Sequence, residues 1–154
     1  MTEKNLEKKI IDALDAAFTA AGVSGVQFVG AWQPAAVGEI KAQESLTAVL
    51  TVKVQPRSYS TFTMMECEFP VAIQLDFDAG DDPDGEKFLA AADVVASVLG
   101  SWHKSYNAYF DAFEIPDEFL PTGMVLGGGD AGIDRTAKIW TYSPIFTLQG
   151  VILN

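Results

Sequence analysis

Hydrophobic and polar positions alternate along the stretch from Leu46 to Phe77. Even positions are apolar from Leu46 to Val54, and after a break at residues 56–58 the odd positions from Met65 onward are apolar. A period of two over this length predicts a half-buried β-ribbon of two long antiparallel strands. Such a ribbon needs helices or further strands over its apolar face to be stable in water.

Two other segments carry apolar residues three and four positions apart, which is the spacing of amphipathic helices. The first runs from Leu6 to Ala21. We expect it to be capped by Thr2 or Asn5 and to end near Gly22.

The second helix is predicted from Pro83 to Trp102, ending between Gly100 and Lys104. Asp82 is its predicted N-cap. Pro83 suits the first helical position, because the N–H that proline lacks would have no partner there. We expect both helices to lie on the apolar side of the ribbon.

The remaining segments are shorter or less regular. Residues 26–32 are predicted to form a first short strand, and residues 122–126 another. Residues 127–134 are predicted to be a flexible loop, followed by a final strand over 137–153. In that strand Pro144 indicates a bend or an edge position.

The stretch from Tyr106 to Phe119 is rich in aromatic residues but has no regular spacing. Pro116 and Pro121 argue against a long helix there. Packing under the sheet is the favoured interpretation for most of these rings, and a subunit contact is the alternative, since aromatic residues are enriched in interface cores.

Residues 1–154 are therefore predicted to form a single α+β domain. We expect a mostly antiparallel or mixed β-sheet, two amphipathic helices packed on one of its faces, and a long β-hairpin. The composition, 49% apolar and 20% charged, is that of a globular domain.

Ten basic and twenty-one acidic residues give a net charge of −11. Because such a surface repels phosphates, we expect no specific nucleic acid binding. The single cysteine, Cys67, excludes an internal disulfide and suits a reducing compartment. No segment approaches the ~18 apolar residues of a membrane span, and the N-terminus lacks a signal-peptide pattern, so we expect a cytoplasmic protein without a membrane partner.

Acidic residues cluster between Asp76 and Glu86, a composition that suits a hard cation such as Ca²⁺. The calcium-loop pattern fails, because placing Gly85 at its sixth position puts Ala91 at the twelfth, where an acidic residue is required. A solvated loop that caps the helix is the favoured interpretation. We assign no metal ligand.

Other catalytic signals are weak. Residues 127–132 match G-x-G-x-x-G, but a strand-like segment follows them where a nucleotide site needs a helix. His103 lies at a helix end without a G-x-S-x-G elbow elsewhere in the chain. Cys67 has the apolar parity of its strand, which favours a buried thiol. We therefore expect no catalytic residue, no cofactor and no enzymatic activity.

A small α+β ligand- or metal-binding or enzymatic domain is the alternative hypothesis. It would use a pocket between the helices and the sheet, with Asp76, Asp78 or His103 at its mouth.

Contacts with other proteins are better sought in the loops 33–45, 56–61 and 127–136. They carry isolated basic residues in an otherwise acidic chain, and these could meet acidic patches of an identical neighbour. The candidate subunit-interface residues are Lys41, Arg57, Tyr59 and Arg135.

The order of these elements resembles a known family. A short amphipathic helix over 6–21, a long ribbon over 46–77 and an acid-capped helix over 83–102 are similar to the tail-terminator proteins of long-tailed bacteriophages and to prophage tail-completion proteins. The ending is similar as well, from Phe113-Glu114-Ile115-Pro116 to a closing strand that begins Ile139-Trp140-Thr141-Tyr142.

This resemblance implies an α+β subunit without a catalytic site. It implies assembly as a hexameric ring on the end of the tail tube, where the ring stops tube growth and joins the tail to the head. The implied partners are other copies of the chain, the tail-tube protein and head-joining proteins. The implied location is the bacterial cytoplasm during assembly and the virion tail afterwards.

Overall fold

The computed structural model describes residues 1–33, 48–59 and 66–153. Within these ranges the chain forms three helices and a six-stranded mixed sheet, which confirms the predicted α+β class. The helices are α1 (Thr2–Ala21), α2 (Glu86–Lys104) and α3 (Tyr106–Phe113). The strands are β1 (Val26–Gly30), β2 (Ala48–Val54), β3 (Ser58–Tyr59), β4 (Glu66–Asp78), β5 (Phe119–Asp134) and β6 (Ile139–Ile152).

The strand order in the sheet is β1-β2-β4-β6-β5, and β3 adds a short second pairing to β4. β1 and β2 are parallel, and every other pairing among the described strands is antiparallel. The predicted ribbon corresponds to β2 and β4, whose antiparallel pairing begins with Ala48 opposite Phe77. The predicted start of the ribbon at Leu46, and residues 60–65, lie outside the described residues.

The core lies on one side of this sheet. Even positions of β2 and odd positions of β4 are buried, as the alternation predicts, and the positions between them are more exposed. Phe146 and Leu148 continue the buried face into β6. The three helices contribute apolar side chains to the same cluster, so α3 joins the two predicted helices. Burial of each large apolar side chain contributes about 1.5–3 kcal/mol.

A glutamate on α1 ties this helix to the ends of the first strands. Glu7 is fully buried. Its carboxylate accepts hydrogen bonds from the backbone N–H groups of Ala31 at 3.1 Å, Trp32 at 2.7 Å and Val54 at 3.3 Å. A buried carboxylate is tolerated only when it is paired in this way. Glu7 therefore fixes where the chain leaves β1 and β2.

The two ends of α1 agree with the prediction only in part. The helix ends at Gly22 in the left-handed conformation, with φ 73°, as predicted. Its start is different, because Met1 is the N-cap and no side chain caps the first turn. The predicted capping by Thr2 or Asn5 is therefore wrong. Asn5 instead donates a hydrogen bond to Glu118 at 2.9 Å, which joins α1 to the segment before β5.

α2 also begins differently from the prediction. Its N-cap is Gly85, in the left-handed conformation with φ 74°, so Pro83 precedes the helix and does not occupy its first position. Asp82 is buried, and its carboxylate accepts hydrogen bonds from the N–H groups of Lys87 at 3.2 Å and Phe88 at 2.8 Å. Asp82 thus satisfies two of the free N–H groups of the helix, but from a turn that precedes it.

α3 is a helix that the spacing did not predict. Ser105 is its N-cap and accepts a hydrogen bond from Ala108 N–H at 3.2 Å. The buried Tyr109 hydroxyl donates to the carbonyl of Gln149 at 2.8 Å and accepts from its N–H at 3.1 Å. These bonds lie beside the register shift of β5 between Pro121 and Gly123. Burial raises the pKa of Tyr109 far above its usual value.

β5 continues through residues 127–134, so the predicted flexible loop is wrong. A Cβ at Gly129 would lie 2.7 Å from Pro144 Cα, and one at Gly127 would lie 2.8 Å from Ile145. The glycines therefore let β5 lie close against β6. Pro144 lies in an interior strand, not at an edge, and the pairing of β6 with β4 is interrupted beside it.

Candidate interaction surface

Arg57, a predicted interface residue, forms an ion pair with Glu3 of α1. Its Nη2 and Nε atoms lie 2.8 and 3.0 Å from the Glu3 carboxylate, and its backbone N–H donates to the same group at 3.1 Å. The guanidinium also lies over the ring of Phe69, 5.6 Å from its centroid. Arg57 is thus part of the subunit's own structure, and its contact with a neighbour stays a prediction.

The ion pair sets the protonation of both side chains. Burial by itself raises the pKa of Glu3, but the hydrogen bonds and the positive charge of Arg57 outweigh it and hold that pKa below its usual value. The hydrogen bond from Glu3 raises the pKa of Arg57 in turn. Both groups therefore stay charged at neutral pH.

Of the other predicted interface residues, Tyr59 lies two positions from Arg57, whereas Arg135 lies far from both. Tyr59 is half-exposed in β3, which pairs with β4 near Cys67. Arg135 is exposed in the turn between β5 and β6, beside the far end of β4. Cys67 and Asp78, the residues of β4 next to these two positions, lie eleven residues apart. At about 3.3 Å per residue, the separation is roughly 36 Å. Lys41 lies outside the described residues.

The residues of the alternative hypothesis also lie apart. Asp76 and Asp78 line a cleft of about 290 Å³ at the end of β4, together with Lys138. His103 lines a separate cleft of about 110 Å³ beside Tyr106 and α3. The 19 residues of α2 separate the two ends of that helix by roughly 25 Å. The structure therefore does not bring these carboxylates and the imidazole to one pocket.

Neither a metal site nor a membrane span is found in the described part of the chain. No group of three or more histidine, cysteine, aspartate or glutamate side chains within residues 1–33, 48–59 and 66–153 is arranged to hold a metal ion. Among the helices of the same ranges, none is long and apolar enough to cross a membrane.

The most exposed part of the sheet is the second half of β5. We call residues 125–134 the β5 arm. Val125 and Leu126 are 49% and 41% exposed, and Ile133 is 36% exposed. The arm is the last strand of the sheet, and only β6 pairs with it among the described strands. It therefore presents apolar side chains and one edge of its backbone to the solvent.

An apolar groove lies next to the arm, on the face of the sheet opposite the described helices. It has a volume of about 250 Å³ and is lined by Pro70, Ala72, Gly127 and Ile145, among others. Ile145 is 51% exposed. Contiguous exposed apolar surface is typical of contact sites for other molecules, including proteins.

Sequence patterns place residues 127–136 among the candidate contact loops, but they do not identify a strand edge there. The arm contains four glycines, which predict a loop over most of its length. A signal is present nonetheless, since Leu126 and Ile133 flank the glycines and the strand on the other side of the turn is strongly apolar. The same residues are therefore compatible with an extended hairpin.

Comparison with known proteins identifies a shared fold. No family model and no curated protein matches the sequence. Among solved structures, the chain is similar to one in a structure described as the virion of a native gene transfer agent (GTA) particle. The two chains are 15% identical, and the match covers 96% of this chain and 93% of that chain with a TM-score of 0.53. The likeness thus extends over nearly the whole length of both.

Proposed function

We propose that this chain is a structural subunit of a phage-like particle, and specifically a tail terminator that assembles as a ring on the end of the tail tube. The observation that carries the proposal is the fold shared with a chain of a gene transfer agent virion along nearly its entire length. The more specific tail-terminator role rests on the order of sequence elements, which resembles that family.

The distribution of exposed groups supports an assembly role over catalysis. The acidic residues and the histidine that an enzyme could use line separate clefts. The exposed apolar side chains Val125 and Ile145, in contrast, lie on the same face of the β5–β6 hairpin, and Leu126 is exposed on the other face. A free sheet edge beside apolar side chains is suited to binding another chain.

The proposed partners are further copies of the chain, the tail-tube protein and head-joining proteins. Each free copy carries a net charge of −11, so copies repel one another at low ionic strength. This repulsion keeps the subunit dispersed until the tube end offers complementary contacts. We therefore expect ring formation to be stronger on tubes than in solution, and to depend on salt.

Growing tail tubes provide the test. Tube protein from the same particle is polymerised with and without the purified chain, and the tubes are imaged by electron microscopy. We expect shorter tubes with ring density at one end, and a hexamer by native mass spectrometry of the capped ends. Tubes of equal length with bare ends would contradict the proposal.

Two matched variants locate the contact. Ala131 is exposed on the β5 arm, and Ala96 is exposed on α2. Ala131→Lys places a bulky charge on the proposed contact surface and is expected to reduce capping, whereas Ala96→Lys changes the net charge equally and is expected to leave capping intact. In parallel, thermal shifts with divalent cations and nucleotides test the ligand-binding alternative, which a stabilisation lost in Asp78→Ala would support.

A further inference from the structure

We infer that the outer edge of the β5 arm pairs through main-chain hydrogen bonds with an extended segment of another protein, whose side chains alternate between apolar and basic. The inference rests on the proposed role as an assembly subunit and adds the chemistry of the partner. It concerns residues 128–134, whose pairing with β6 is continuous.

The outer edge of this segment is long, and no described residue obstructs it. Each residue from Gly128 to Asp134 pairs in unbroken register with β6, and the register shift of β5 lies before Gly128. Seven residues span roughly 23 Å. No described residue forms a backbone hydrogen bond with the outer side of this segment. Proline and lysine, which often block exposed edges, are absent from it.

The residues of the arm on the open face of the sheet follow a regular pattern. Glycine and aspartate alternate there, in the order Gly128, Asp130, Gly132 and Asp134, opposite the odd-numbered residues of β6. A Cβ added at Gly132 would meet no heavy atom within 4 Å, and its φ is not left-handed, so nothing among the described residues requires glycine there. The space above it is free for a side chain from a neighbouring strand.

The two aspartates of this face favour a basic residue on the partner strand. A residue of an incoming strand opposite Gly132 is diagonal to Asp130 and Asp134, at a distance that long side chains bridge. A lysine or arginine at that position can approach both carboxylates. Asp134 also accepts the N–H groups of Thr136 and Ala137 at 3.0 Å, which holds its carboxylate at the end of the strand. The open face thus favours basic residues at alternate positions of the partner.

The other face of the arm favours apolar residues. Gly129, Ala131 and Ile133 point to the side of the described helices, opposite Pro144, Tyr142 and Trp140 of β6. These side chains are small or apolar, and Ile133 remains 36% exposed. A strand with apolar residues on this side and basic residues on the other would therefore match both faces.

A second copy of the arm does not fit this edge. Pairing of two arms would collect four aspartates, two from each copy, with no basic residue within the paired segments. Like charges on adjacent strands are destabilising, and each copy already carries a net charge of −11. A basic strand from a different protein is the occupant that the charges favour.

A synthetic peptide tests the inference with the intact chain. The probe is a capped ten-residue peptide of alternating valine and lysine, and binding is followed by fluorescence anisotropy and amide hydrogen exchange. We expect binding at low salt with new protection confined to amides of residues 128–134. A peptide with glutamate in place of lysine is expected not to bind.

Matched charge variants separate specific pairing from general attraction. Asp130→Asn removes a charge at the edge, and Asp81→Asn removes one from an exposed position before α2. We expect roughly two- to fivefold weaker binding for Asp130→Asn, as for one solvent-exposed ion pair, and no change for Asp81→Asn. Equal losses in both variants would overturn the inference.

Backbone chemistry provides the decisive comparison. Two peptides carry N-methyl groups on alternate residues, in the two possible frames, so that each loses the donors of one edge while keeping its side chains. At least one frame is expected to lose binding, and undiminished binding of both would overturn main-chain pairing.

Protection of residues 128–134 that rises with protein concentration alone would assign the edge to a second copy and also overturn the inference. If the chain caps tubes but does not bind the peptide, the proposed function stands and only this inference is overturned.

Discussion

β4 and β5 are both long strands of one sheet, with 13 and 16 residues, but their surroundings differ. β4 lies between other strands on both sides, and its side chains alternate between buried and exposed positions along its whole length. β5 is paired on one side only, and its residues after Met124 are almost all exposed. β4 thus contributes to the core of the subunit along its whole length, whereas the second half of β5 has side chains and a backbone edge that no described residue covers.

The largest expected effect concerns Glu7, the buried glutamate that ties α1 to the ends of β1 and β2. Glu7→Ala removes the acceptor of three backbone N–H groups near β1 and β2. We expect the free energy of unfolding to fall by about 3–5 kcal/mol, because the donors stay buried without partners. Denaturant titration measures the loss. Glu86→Ala, at an exposed glutamate of α2, serves as the control and is expected to change it by less than about 0.5 kcal/mol.

A pair of substitutions in β6 compares the buried face of the sheet with its open face. Leu148 is fully buried and Ile145 is 51% exposed, and both lie in β6. Leu148→Ala is expected to lower the free energy of unfolding by about 2–5 kcal/mol, since it leaves a cavity in the core. Ile145→Ala is expected to lower it by less than about 1 kcal/mol. Equal losses in chemical denaturation would show that both faces of β6 are packed to the same extent.

The buried hydroxyl of Tyr109 is expected to contribute less to the free energy of unfolding than Glu7 or Leu148. Tyr109→Phe keeps the ring and removes both hydrogen bonds to the backbone of Gln149. We expect a loss of about 1–3 kcal/mol in the free energy of unfolding, measured by thermal denaturation. Tyr106→Phe removes one bond, to the carbonyl of Pro121, from a half-exposed side chain and is the matched control. A control loss as large as that of Tyr109→Phe would contradict the role of the buried hydroxyl.

The smallest effect is a dependence of stability on pH. The folded-state pKa of Glu3 lies below its usual value of 4.5, so the ion pair with Arg57 contributes stability above that usual value. This contribution is lost as the pH falls from about 4.5 through the lower folded-state pKa. We expect Glu3→Gln to flatten the acid side of the stability–pH curve, measured by urea denaturation between about pH 3 and 7. An unchanged slope would show that other carboxylates determine it.

The parts of the fold that follow from local patterns are predictable. The alternation through β4 identifies its buried face, and Gly22 marks the end of α1, because both features depend on neighbours close in sequence. The eight residues of α3 are not predicted as a helix. Apolar and aromatic residues occupy most faces of this helix, so no amphipathic spacing is visible, and its start depends on the Ser105 cap. The start of α2 differs from the prediction because Gly85, and not Asp82, is the N-cap.

The candidate surface is less predictable, because it depends on contacts between residues far apart in sequence. Arg57 has the pattern of a free surface charge, but its partner Glu3 lies 54 residues earlier and meets it only after folding. The glycines of the β5 arm resemble a loop in sequence, and only the close approach of β6 explains why two of them continue a strand. Long-range contacts decide both cases, and local patterns do not contain them.

Amide hydrogen exchange of the isolated chain tests the difference between β4 and β5 most directly. In β4, amides are expected to exchange slowly along the strand, because neighbouring strands bind it on both sides. In residues 128–134 we expect two populations: amides that point to β6 exchange slowly, and amides that point outward exchange at nearly unprotected rates. Uniformly slow exchange over 128–134 would mean that the edge is already covered, and uniformly fast exchange would mean that it is a loop. Either result would contradict an open strand edge prepared for a partner.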